Sequence, residues 1–111
     1  MKKQFYSHIV EEEFASEVIL ELGKTSMSKK EKKHLESIFY SSIHTVVLDE
    51  VLTQLPAEHK KTFLTHVHSG DTEKIWQFLQ EHTLNMEFKI ANAVQKLTKE
   101  FLKDIHEVKK G

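Results

Sequence analysis

The chain has 111 residues, no cysteine, and 16 basic against 17 acidic side chains, for a net charge of -1. A chain of that length forms one domain, residues 1–111, and hides about two thirds of the surface its unfolded form exposes, enough for a core without staples. Disulfides and thiolate metal sites are excluded, and neither nucleic acid nor an anionic membrane is favoured by overall charge.

Every basic residue is lysine, so the guanidinium fork that grips phosphate, carboxylate or guanine is missing. The opening MKKQFYSHIVEEEF has no uninterrupted apolar run, and no stretch reaches the roughly 18 apolar residues of a membrane span. A cytoplasmic protein with no membrane segment is the expectation.

Three glycines and one proline, with no sustained period-two alternation, predict an all-α fold: a compact bundle of about five helices in a single domain. The first helix is expected over Lys3 to Leu22, with Phe5, Ile9, Val10, Phe14, Val18, Ile19 and Leu22 on its apolar side. Gly23 stands where a C′ glycine would stop it. Ser28 and Glu31 then form the S-x-x-E pattern of a capping box and open a second helix running to Leu55.

That second helix carries the longest apolar run of the chain. Leu35, Ile38, Phe39, Ile43, Val46, Val47, Val51, Leu52 and Leu55 recur at helical spacing, making it the element on which the others fold. Pro56 suits the first turn of a third helix, about Ala57 to His68, which offers Phe63, Leu64 and Val67. Ser69-Gly70-Asp71 closes it, and Asp71 or Thr72 caps a short fourth helix through His82, with Ile75, Trp76, Phe78 and Leu79. The last helix starts at Thr83 or Asn85 and repeats Ile90, Val94, Leu97, Phe101, Ile105 and Val108 at steps of three and four, the spacing of a bundle helix or a dimer seam.

Two stretches carry a family likeness: VLDEVLTQLP at Val47 to Pro56 and SGDTEKIWQFLQEH at Ser69 to His82, followed by a closing helix rich in lysine and glutamate. In these the chain resembles a group of short helical bacterial proteins, a domain-of-unknown-function family with a Leu-hairpin-Gly-Asp-helix pattern. The likeness is strong over about a third of the chain and looser over two thirds. It implies a compact helical fold and carries no activity or site residues.

Eight histidines are the most unusual feature. His66 and His68, two apart on a helix, point in opposing directions, whereas His59 and His66, seven apart, share a face. Solvated histidines on a helix surface are the expected reading, with no metal and no cofactor. A di-iron bundle needs two Glu-x-x-His pairs, and only Glu31 with His34 fits. Ser41, Ser42 and His44 cluster on the central helix without the strand-turn-helix elbow of a nucleophile, and a serine there bonds back to the preceding turn. No two glycines lie close enough for a phosphate loop.

The chain is therefore read as non-enzymatic: a helical protein–protein interaction module, self-associating through Ile90, Val94, Leu97 and Phe101. Phe88, off the main stripe, is a further interface candidate. Trp76 and Phe78 cannot both point the same way from a short helix, and Tyr6 and Tyr40 are candidates for a surface patch. The alternative is a small nucleic-acid-associated protein using the dense run Lys29, Lys30, Lys32 and Lys33, with Glu31 and Glu36 interleaved.

Overall fold

The computed structural model describes residues 4–110, and the side chains within them except those of residues 12, 13 and 108–110. Its elements, in order, are α1 (Ser7–Val10), a π-helical turn (Glu11–Ala15), α2 (Ser16–Gly23), α3 (Lys29–Gln54), α4 (Ala57–Ser69), α5 (Thr72–His82) and α6 (Met86–Lys110). Because α1, the π turn and α2 follow without a break, they form one rod, and the described residues make five rods and no strand. Lys3 and the side chain of Val108 lie outside the described residues.

The π turn has a cause in the sequence. Ile9 and Val10 are buried, and so are Phe14 and Ala15, each five positions further on. A regular α-turn would carry the second pair round the helix, whereas an i→i+5 turn keeps both pairs on one face. Val18 and Leu22 continue that face. Gly23 does not act as a left-handed stop: it is the last residue of α2. The end is closed instead by Lys24 N–H to Glu21 O and Thr25 N–H to Leu22 O, with the Thr25 hydroxyl donating to Leu22 O at 2.7 Å.

At the start of α3 the Ser28 Oγ accepts from Glu31 N–H at 3.2 Å, as the capping pattern predicts. The reciprocal arm differs, since Glu31 Oε1 accepts from the Ser28 hydroxyl rather than from its amide. No glycine or proline interrupts the 26 residues that follow, and Pro56 supplies the cap of α4. Gly70 ends α4 in the left-handed conformation at φ 76°, with its N–H on His66 O and Val67 O. Asp71 Oδ1 then accepts from Lys74 N–H to open α5. Asn85 precedes α6 at φ 55°, a conformation that asparagine tolerates better than most side chains.

The two long helices, α3 and α6, pack antiparallel, because Phe39 meets Phe101 at one end and Lys89 Nζ reaches Gln54 Oε1 near the other. The N-terminal rod lies along α6 in the same direction, joined by His8 to Glu87 and His106 to Glu21, each at 3.0 Å. Phe39, Ile43, Val47 and Val51 of α3 face Ile90 and Val94 of α6 and Val18 of α2 in a dry interior. Each such side chain stabilises the fold by about 1.5–3 kcal/mol relative to exposure. The packed rods give a molecule of 48 × 22 × 21 Å.

At one end sits the α4–α5 pair, fastened by the segment before α1. Phe5 packs edge-on against Phe63 of α4 and Trp76 of α5, and Trp76 Nε1–H donates to Phe5 O at 2.9 Å. Phe5 thus joins three elements, and its burial explains why Phe63 is fully enclosed.

Candidate interaction surface

The residues expected at an interface on the last helix face the chain's own core. Ile90 and Val94 are fully buried against α3, and Leu97 and Phe101 are packed on the same core but only half-buried. Phe88 alone of the expected set is exposed, at 67 %. It stands off the stripe because it lies two positions from the buried Ile90, which turns it to the other side of the helix.

Phe88 has a neighbour that periodicity did not reveal. Leu84, in the loop between α5 and α6, is 74 % exposed, and it flanks Phe88 in an open groove of about 530 Å3 with Trp76, Leu79 and Met86. Trp76 is only partly covered while Phe78 is buried, which settles which of the two aromatics points inward. Trp76 and Gln80 also wall an adjoining groove with Asp71, Glu73 and Lys74. The two grooves together form a track down one side of α5.

A second groove, about 780 Å3, lies between the N-terminal segment and α3. On its wall the Tyr6 hydroxyl and His44 Nδ1 are 2.7 Å apart. Tyr6 is buried rather than part of a surface patch, and burial pushes its phenol up to about 12. Tyr40 lines the same groove, and its phenol is also raised, first by burial and then by the carboxylates of Glu36 and Glu11. Ser41 is on this wall too, and its backbone oxygen accepts from the Thr45 hydroxyl at 3.2 Å.

The histidines of α4 and α5 gather round Phe78. His59 and His82 stack with ring centroids 4.0 Å apart, and both His66 and His82 lie against the Phe78 ring. His59 and His66 share a face, as their spacing predicts. The His59 and His82 imidazoles are tilted by 32° to one another. Among the described residues, no group of three or more metal-ligating side chains converges. His68 is exposed, and Glu31 is held by Ser28 while His34 faces solvent.

Lys29, Lys30 and Lys33 are exposed, Lys32 is half-buried, and none of them forms an ion pair with a described residue. Among the described residues, no helix is long and apolar enough to cross a membrane.

No protein-family model, curated protein or solved structure matches the chain. Its reading therefore stands on its own geometry.

Proposed function

We propose that the chain is a non-enzymatic, cytoplasmic protein–protein interaction module whose docking face is centred on Leu84 and Phe88. The observation that carries this reading is the pairing of two large apolar side chains, 74 % and 67 % exposed, beside the partly covered Trp76. Scattered exposed apolar residues are ordinary, but a contiguous set with an aromatic at its centre is the usual signature of a partner site. Ile90 and Val94 are enclosed within the chain, so the docking face is placed on the exposed pair and the partner is read as another protein.

The test is affinity capture from the cells of origin with the full chain and with a Leu84→Ala/Phe88→Ala variant. Both residues are exposed, so the variant keeps the helical circular dichroism of the parent. Proteins retained by the parent and lost by the variant support the reading; identical sets from the two refute it.

A second reading, nucleic-acid association, is favoured by the unpaired Lys29, Lys30 and Lys33 at the start of α3. It requires retention on nucleic acid at low salt that falls steeply as salt rises. Absence of low-salt binding ends it.

A further inference from the structure

Resting on the interaction-module reading, the track along α5 carries enough chemistry to specify its occupant. Glu73, Trp76, Gln80 and Leu84 follow one another at steps of three, four and four, and Phe88 stands four further on in α6. Within α5 that spacing puts Glu73, Trp76 and Gln80 on one face, and the groove that Trp76 and Gln80 enter is also lined by Leu84 and Phe88. The track is apolar at its Leu84–Phe88 end and acidic at its Asp71–Glu73 end, with Trp76 between them.

Three carboxylates border it, Asp71, Glu73 and Glu87, against the single ammonium of Lys74. Glu87 is engaged by His8 at 3.0 Å, so Asp71 and Glu73 carry the contrast. A two-fold dimer with its axis along the track would set acidic rims against acidic rims. Nor is the area sufficient: Leu84 and Phe88 together expose about 250–300 Å2, taking side chains of their size at roughly 200 Å2. Two copies would bury about 600 Å2 of this surface, half the usual minimum of roughly 1,200 Å2 for a stable interface.

The described residues contain no strand, so no sheet edge is available to pair with an extended peptide. A helix brings its backbone hydrogen bonds already satisfied and presents side chains at i, i+4 to such a track. We propose that the track binds a basic amphipathic helix of another protein. An apolar pair at i, i+4 on that helix covers Leu84, Phe88 and the edge of Trp76, and lysine or arginine side chains reach Glu73 and Asp71. The 11 residues of α5 and the turn after it give a length of about 20 Å, matched by a helix of about 14 residues.

Trp76 is the only tryptophan in the chain, so its emission reports occupancy of the track directly. The experiment titrates the full chain with three helical peptides of about 14 residues. The first has leucines at i, i+4 and lysines on its polar positions. The second has glutamates in place of the lysines, and the third keeps the lysines but replaces the leucines with alanine. The expected result is saturable binding of the lysine–leucine peptide alone, with a blue shift of Trp76. That binding is weakened about tenfold or more by Phe88→Ala and also weakened by Glu73→Lys, while both variants retain the parent's helical circular dichroism.

Equal binding of the glutamate peptide overturns the assignment of a basic partner while leaving the docking face standing. Equal binding of the alanine peptide shows mere charge attraction and overturns the proposal. Failure of both leucine-bearing peptides removes the track as a helix site, and with it the interaction reading at this patch. Concentration-dependent sedimentation of the chain alone, abolished by Phe88→Ala, makes the occupant a second copy and likewise overturns the proposal.

Discussion

Replacing Tyr6 with phenylalanine separates two effects that the structure places on one hydroxyl group. Near neutral pH the substitution removes the 2.7 Å contact with His44 Nδ1, and a hydrogen bond of this kind contributes about 1 kcal/mol net. The half-buried His44 borders an open groove, so water can take the vacant place and the cost stays near that figure. At high pH the sign reverses. The folded phenol is held at about 12, against about 10 in the unfolded chain.

Between those values the unfolded chain releases a proton that the folded chain retains. Stability is therefore unaffected below pH 10 and falls as pH rises toward 12, at about 1.4 kcal/mol per unit. The full loss above 12 is about 2.7 kcal/mol, and Tyr40, raised in the same direction, adds a smaller amount. Tyr6→Phe escapes the Tyr6 share of it. The parent should be the more stable at pH 8 and the variant above about pH 11, where a loss of about 1.4 kcal/mol overtakes the missing hydrogen bond. Urea titrations followed by circular dichroism at several pH values between 8 and 11.5 give the two curves. Titration of the lysines is common to both and cancels in the difference. If the two proteins lose stability in parallel from pH 10 to 11.5, Tyr6 is not the group held protonated by the fold.

Three further outcomes follow from the packing and the caps. Val47→Ala, at a position with no exposure on the α3 face, should cost about 2–3 kcal/mol in urea unfolding, whereas Phe88→Ala should stay within about 0.5 kcal/mol of the parent. Gly70→Ala meets no atom within 4 Å but must adopt φ 76°; a loss of about 1 kcal/mol is expected, read as a lowered thermal midpoint. Ser28→Ala leaves the Glu31 amide without its cap and should cost about 1 kcal/mol, with Ser28→Asp restoring most of it.

The fold was legible wherever neighbouring residues decide the backbone. Ser28 before a charged first turn, Gly70 after the histidine-bearing last turn of α4 and Asp71 immediately beyond are local instructions, and the structure carries each of them out. The face of α3 was legible in Phe39, Ile43, Val47 and Val51, which keep a strict step of four and are buried, but Ile38 of the same expected stripe is exposed, as are Ile19 and Leu64 of the expected faces of the first and third helices. Gly23 misled because a glycine permits the left-handed conformation without requiring it, and here the Thr25 hydroxyl closes the helix instead. The π turn had a signal in the five-residue step from Ile9–Val10 to Phe14–Ala15, which the usual three-and-four template passes over. Tyr6 and His44 stand 38 positions apart, and no local pattern announces such a contact.

The candidate site was legible only in its outlier. A stripe at helical spacing tells which face of α6 leaves water but not whose surface covers it, and Ile90 and Val94 satisfy either an internal or an external partner equally well. Only the three-dimensional arrangement decides, by placing α3 against them. An apolar residue that breaks the stripe is in the opposite position: it cannot join the core its own helix serves, so its exposure is fixed by the phase of its neighbours. Phe88 is such a residue. Leu84 escaped the same reasoning because a loop has no phase to violate, and it becomes visible only when the turn at Asn85 brings it beside Phe88. In a small helical domain whose stripes all close on one another, the informative apolar side chains are those the pattern leaves over. Two of these, Leu84 and Phe88, lie beside a tryptophan whose indole nitrogen is already committed to Phe5 and whose remaining surface has only contact to offer.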